Sequence, residues 1–292
     1  MKQPLFSILI ANYNNGKYLM EAIESVRQQT YTHWEIVLVD DASTDNSKNL
    51  YRELEKDERI HIYYNEQNMG CGYTKRRCAE LAQGEICGFL DADDALTKDA
   101  LAQMVHTHLA NPNVGLVYSR LYETDEFLRV KGVSQGQMEI PHGSSFLEIG
   151  GCAISHFATF KKSEYLRTEG INPGCKRAVD HDLYYKLEEV APLLFIDVPL
   201  YYYRMGTGNN ISSGIDGNKA FISDIFIMKD AAIRRGLNPE SVVSRRFDIY
   251  VNELNRKAEI IASDKLRMTK TYRLGALMRS PITFLRSLFS KC

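Results

Sequence analysis

The sequence lacks the features of several protein classes. Six cysteines are spread over 292 residues, and Cys71, Cys78, Cys87, Cys152, Cys175 and Cys292 contain no CxxC pair. That is too sparse for a disulfide-stapled secreted module and supplies no structural zinc motif, so free, partly buried thiols in a reducing cytoplasm are expected. No apolar run approaches the about eighteen residues that a membrane-spanning helix needs. Leu5 to Ile10, directly behind Met1-Lys2-Gln3-Pro4, is too short for a signal peptide. Internal repeats and low-complexity tracts are also missing. What is present, 44% hydrophobic and 25% charged residues, is ordinary globular composition, enough for one large domain with an appendage.

A net charge of −1 hides an asymmetry. Lys265, Arg267, Lys270, Arg273, Arg279, Arg286 and Lys291 face no acidic residue between 265 and 292. The preceding 264 residues carry 29 basic against 37 acidic groups. An acidic body would repel nucleic acid, so none is expected as a partner. The basic tail also places Leu274, Leu277, Met278, Ile282, Leu285, Leu288 and Phe289 on one helical face. This pattern suits a peripheral membrane contact through 265–292, at the inner face of the cell membrane, better than packing on protein.

Short apolar runs at Phe6–Ala11, Glu35–Val39, Arg59–Tyr64, Ile86–Leu90 and Val114–Tyr118 alternate with helical patterns at 18–29, 47–55, 74–82 and 100–109. Strand and helix in turn predict an α/β fold with a mostly parallel sheet flanked by helices. Ligands of such sheets sit at the carboxyl ends of the strands. Glu123 to Gly143 reads as a flexible loop or irregular hairpin. Strands are expected at 153–160 and 193–204 with a helix near 181–190, and Asp216 to Ala262 is helical in period with a break at Gly236-Leu237-Asn238-Pro239.

Carboxylates gather where such a sheet would bind. Asp40-Asp41 ends the run Ile36–Val39, and two adjacent carboxylates closing a buried strand cost solvation unless something uses them. Asp45, next to them, reads as a helix cap. Asp91-Ala92-Asp93-Asp94 follows Cys87–Leu90. Three carboxylates so close raise one another's pKa, a penalty that a hard divalent cation such as Mg2+ or Mn2+ removes. The alternative is a solvated turn with Asp94 as a cap. Asp180-His181-Asp182 opens a later helix, as a cap or as a general base for a hydroxyl nucleophile.

Taken in order, Ser7–Asn14 (SILIANYN), Ala22–Tyr31, Trp34–Asp45, Ala82–Glu85 and Phe89–Asp94 resemble a family 2 glycosyltransferase of the GT-A fold, of the type that builds bacterial envelope polysaccharides. The resemblance is dense from about residue 5 to 120, thins through Asp180–Tyr203 and does not cover Asp216 onward. It implies a Rossmann-like GT-A domain over 1–213, with a nucleotide-binding half at 1–120 and an acceptor-side half at 121–213. A helical extension at 214–264 and the basic helix at 265–292 would follow.

The resemblance further implies an inverting transfer from a nucleotide-sugar donor, UDP-linked, to a glycan or lipid-linked acceptor. Ala11 and Tyr13 would hold base and ribose, and Asp41 would accept from the uracil NH. Asp91 would lie near the ribose, Asp93 would bind Mn2+ or Mg2+, and Asp180 would deprotonate the acceptor. Where the family usually has an arginine after the third strand, this chain has Lys75, a candidate for binding the donor, with Arg76 and Arg77 beside it as alternatives. Val179 stands where a glutamate usually precedes Asp180. Arg204, in the loose match Tyr203–Ser212, is a candidate for closing over the diphosphate; His156 reads as a satisfied packing residue, with contact to the acceptor as the alternative.

Two rivals remain. Phe89–Asp93 is close to the nucleophile motif of haloacid-dehalogenase-type phosphatases, but Ala95 stands where a threonine or valine is usual and three strand–helix units precede it. A degenerate nucleotide-sugar-binding partner subunit is the other. The sugar, the acceptor and the oligomeric state are not written in these motifs.

Overall fold

The computed structural model describes residues 3–206 and 214–268. The apolar runs become β1 (Phe6–Asn12), β2 (Trp34–Asp40), β3 (Ile60–Tyr64) and β4 (Ile86–Phe89), joined by α1 (Leu19–Arg27), α2 (Ser47–Leu54) and α3 (Cys71–Leu81). Then come β5 (Ala95–Leu96), α4 (Ala100–Ala110), β6 (Leu116–Thr124), β7 (Val130–Val133), α5 (Phe146–Ile149), β8 (Ala158–Lys161), α6 (Lys162–Tyr165), α7 (Val179–Glu188) and β9 (Leu193–Arg204). The helices α8 (Gly214–Arg234) and α9 (Pro239–Met268) complete the described chain.

The sheet runs β3-β2-β1-β4-β8-β6-β9-β5, with β7 beside β6. Its first four strands are all parallel. Beyond β4 the sheet turns mixed: β8 is antiparallel to both neighbours, while β6 and β9 run parallel. Every residue of β2 is buried, as a central strand covered on both faces requires. Alternation along β1 and β2 feeds two cores, with Ile8, Ile10, Ile36 and Leu38 in one and Leu9, Val37 and Val39 in the other. The strand order reverses between β1 and β4, so Asn12, Asp40 and Asp91 end at the switch point where open α/β sheets bind ligands.

Local details depart from the sequence expectations. Of the strand expected at 153–160, only Ala158–Lys161 pairs, because Gly151–Ala153 is a 3-10 turn entered through two positive-φ glycines. The segment 123–143 holds an irregular hairpin, β6 to β7, with a register shift at Glu123/Thr124. Gly72 is obligatory: a Cβ there would lie 2.4 Å from the Cys175 carbonyl oxygen, and its N–H donates to that oxygen at 2.9 Å. This close approach sets α3 against the segment that leads into α7.

The chain divides into two compact units, Met1–Val243 and Ser244–Cys292. Within the first, α8 buries Ile227, Met228 and Ala231 in the core that holds Val179, Leu183 and Leu187 of α7. Of the second unit, residues 244–268 of α9 are described. The expected basic helix at 265–292 lies outside the described residues except for its first four. No described helix is long and apolar enough to cross a membrane. Cys71, Cys78, Cys87, Cys152 and Cys175 are free thiols, and burial pushes Cys78 and Cys87 up to about 12.

His108 of α4 gives the fold an acid sensitivity. It is buried, its Nε2 meets Thr159 Oγ1 at 3.0 Å, and its Nδ1 has no partner. Burial, then Lys161, pushes its pKa down to about 3. An unfolded histidine titrates near 6.5, so between those values the unfolded state binds the extra proton and stability falls as pH falls. Each pH unit below about 6.5 costs about 1.4 kcal/mol from this group. His108→Gln is expected to flatten the loss of urea-unfolding free energy between pH 7 and 5. An unchanged loss would assign the acid sensitivity to other groups.

Candidate active site

The loop ends of β1 and β2 are tied together by side chains. Asp40 is fully buried and structural: its carboxylate accepts from Tyr51 OH at 2.6 Å and from the Ser43 N–H at 3.0 Å. Asn12 Nδ2 donates to Tyr51 OH and Ser47 Oγ. Asp45, one residue ahead of the α2 N-cap position Asn46, accepts from the Ser47 and Gly16 N–H groups and so ties the β1 loop to the start of α2. Asp41 faces the other way. Asn65 Nδ2 and the Met69 N–H donate to its Oδ1 at 2.7 and 2.8 Å, and the Gly70 N–H donates to Oδ2 at 2.9 Å. A carboxylate has about four acceptor sites, so one on Oδ2 is left for a ligand. Ala42, between these carboxylates and Ser43, holds a φ of 60°, a left-handed conformation costing about 1–2 kcal/mol outside glycine. Ala11 sits in register with Val39, and Tyr13 beyond it exposes 46% of its surface at the mouth.

The turn after β4 carries the second acidic group. Tyr201 OH donates to Asp94 Oδ2 at 2.8 Å, the Asp91 N–H donates to Tyr201 OH at 3.2 Å, and the Arg204 N–H donates to Asp94 Oδ1 at 2.7 Å. Asp94 is therefore no helix cap; it fastens β9 to the acidic turn. Burial, then Asp93 and Asp91, holds its pKa well above the ordinary carboxylate value. Burial, then Asp91, likewise raises Asp93.

Lys75 answers which basic group of α3 faces the site. Its ammonium donates to Asp180 Oδ1 at 2.8 Å and lies 3.2 Å from Asp91 Oδ1. Burial would lower its pKa, but Asp180 and Asp91 outweigh that and hold it well above the usual lysine value. Burial would raise Asp180, but Lys75 and His156 outweigh it and hold the carboxyl below its ordinary value. Arg76 turns to the Glu169 and Ile171 carbonyls, and Arg77 to Asn65 Oδ1 at 2.5 Å, where it orients the amide that donates to Asp41. Asp180 opens α7 two residues after Ala178, whose φ is 53°.

Among the described residues, Asp91, Asp94 and His156 place ligand atoms within 4.8 Å of one another. Two carboxylates and an imidazole suit a divalent ion, Mn2+ before the oxygen-preferring Mg2+, and a cation there would offset the repulsion by Asp93 and Asp91 that adds to burial in raising Asp94. The residues fit a divalent ion. Asp93, the residue expected from the sequence, is outside this trio. His156, a packing residue or an acceptor contact from the sequence, has its Nε2 3.6 Å from Asp91 Oδ2 and its ring packed on Tyr201 and Tyr203. No local sequence signal joins it to the acidic turn.

Arg204 corrects an expectation. Instead of facing the mouth, its guanidinium is 1% exposed and committed to the protein. Nε donates to the Asp93 carbonyl at 2.5 Å, one terminal nitrogen to the Glu126 carbonyl and the other to Glu21 Oε2 at 2.6 Å, with the Tyr18 ring beneath it. A guanidinium so occupied has no fork left for a diphosphate. The rest of the expected loop, from Thr207, lies outside the described residues.

Comparison with known proteins bears on the family and the fold. The family model described as Glycosyl transferase family 2 matches residues 7–169. TuaG of Bacillus subtilis, named for teichuronic acid biosynthesis, is 39% identical over 104 residues, 35% of this chain and 41% of TuaG. A chondroitin synthase of Escherichia coli is 30% identical over 209 residues, 72% of this chain and 30% of that protein. The chain thus spans less than half the length of these curated relatives. Among solved structures, S. aureus TarS 1-349 with UDP-GlcNAc superposes with a TM-score of 0.66 at 19% identity, covering 81% of this chain and 69% of TarS. At that identity the likeness speaks for the fold.

Proposed function

The chain belongs to glycosyl transferase family 2, and from that premise we propose that it moves a sugar from a UDP-sugar to a hydroxyl of a glycan or lipid-linked acceptor, inverting the anomeric carbon, in cell-surface polysaccharide synthesis. The observation that carries this reading is the meeting of Asp180 and Asp91 on one ammonium, which puts a base carboxylate beside a donor-side carboxylate at the sheet's switch point. The named roles of TuaG and the UDP-GlcNAc bound to TarS support a uridine-linked donor and an envelope product.

Tyr13 offers an exposed ring face for the base, and the last acceptor site of Asp41 takes the base NH. Lys75 supplies positive charge to the diphosphate. Asp180, held ionised, accepts the proton of the acceptor hydroxyl as that oxygen attacks the anomeric carbon and the nucleoside diphosphate leaves from the opposite face. Asp91, Asp94 and His156 would hold the divalent cation, which supplies compensation for the charge that builds on the leaving group. Residues 1–213 would be the catalytic domain, α8 its buttress along α7, and the tail from 265 a cytoplasmic-side membrane contact.

Titration calorimetry with UDP, with and without manganese, tests the donor site. Manganese is expected to tighten UDP binding at least about tenfold, and His156→Ala or Asp91→Ala to abolish that gain. No binding of UDP, GDP or dTDP under either condition would overturn the reading. A gain lost in Asp93→Ala but kept in His156→Ala would return the metal to Asp93.

A further inference from the structure

The placement of Lys75 has a consequence for how the two substrates communicate. Its side chain is 7% exposed, whereas Asp91 and Asp180 expose 34% and 26% of theirs to the mouth. An ammonium has three N–H donors, and here the two carboxylates draw on it from opposite partners, one on α7 and one after β4. Phe89 walls a further side, its ring centroid 5.1 Å from Nζ. The base and the donor-side carboxylate therefore share a single buried cation. An arriving diphosphate carries more negative charge than either carboxylate.

We propose that Lys75 is a positioning residue that couples donor occupancy to the base: in the donor-free protein its ammonium occupies Asp180, and a nucleoside diphosphate seated beside Asp91 draws it off, leaving Asp180 open to the acceptor hydroxyl. This rests on the donor-site reading above. Its effect is ordered use of the substrates, because an acceptor arriving first meets a carboxylate that is already engaged.

Linkage makes the idea testable without an acceptor. If the diphosphate must win Lys75 from Asp180, then removing the carboxylate's charge strengthens diphosphate binding, although Asp180 does not itself touch the nucleotide. Calorimetry with UDP and manganese is expected to show Asp180→Asn binding about fivefold or more tighter than wild type. The same substitution in a Lys75→Met background is expected to give no gain, since a simple long-range charge effect would persist there while competition for Lys75 cannot. Lys75→Arg, which keeps the cation if Lys75→Met fails to fold, is expected to retain the gain. Equal affinities for wild type and Asp180→Asn, or a gain that survives in Lys75→Met, would overturn the proposal while leaving the donor site standing. Wild-type protein that binds no nucleoside diphosphate would overturn both.

Discussion

Asp180→Asn is expected to lower kcat for sugar transfer by about a thousandfold and to leave the donor KM no higher than in the wild type. Asparagine fills the same volume, and its Oδ1 can still accept from Lys75, so the start of α7 has no reason to move. What is lost is the ability to take a proton. General-base contributions of about 10²–10⁴-fold set the scale. The split between kcat and KM is diagnostic: a residue that only shaped the pocket would weaken donor binding as well, whereas a base acts on the acceptor's proton in the transition state. In the donor-free protein Lys75 and His156 hold the Asp180 carboxyl below its ordinary value of 3.8, and His156 remains beside it when the diphosphate draws the ammonium off, so the rate should show no acid limb from this group between pH 6 and 8. Steady-state rates at saturating donor, over that pH range, measure both. A kcat within tenfold of the wild type would remove Asp180 from the chemistry.

The two ends of the acidic motifs were unequally legible. Asp91 and Asp41 could be placed because each closes an apolar strand, and the strand–helix alternation told where strand ends converge. Lys75 was also within reach of the sequence. On α3 it shares a helical face with Gly72, Cys78 and Ala79, all buried, while Arg76 and Arg77 are rotated off it. Helical phase alone separates them. Asp94 and His156 were not legible in the same way. The partners of Asp94, Tyr201 and Arg204, lie more than a hundred residues downstream, and a carboxylate in a polar turn looks like a cap whatever it binds. His156 reaches Asp91 because β8 lies beside β4, and that antiparallel pairing carries no local pattern. The parallel half of the sheet follows from local alternation of strand and helix; the mixed half depends on long-range pairing, and the candidate trio draws a member from it.

Arg204→Met is expected to lower Tm by about 10 °C and to weaken UDP binding as a consequence. The sequence placed this arginine among the donor contacts, because a basic residue ahead of a glycine-containing loop suits a diphosphate. The structure makes it a strut: one fork ties the end of β9 to the Asp93 carbonyl, the hairpin carbonyl of Glu126 and Glu21 of α1, with no surface left for a ligand. Glu21 is 54% exposed and can return to water, so its ion pair adds little. Glu126 is likewise exposed and its carbonyl can return to water, whereas Arg204 is buried, so the loss of its packing and of its bond to the part-buried Asp93 carbonyl costs about 3 kcal/mol. At roughly 2–4 °C per kcal/mol for a chain of this size, the Tm shift follows. A donor contact predicts the reverse pattern, a wild-type Tm with UDP affinity sharply reduced. Arg204→Lys separates the geometric part of the strut from its charge, since an ammonium can hold Glu21 but cannot span both carbonyls. It should recover little of the lost Tm, because the arginine is needed here for the shape of its donor set rather than for its charge.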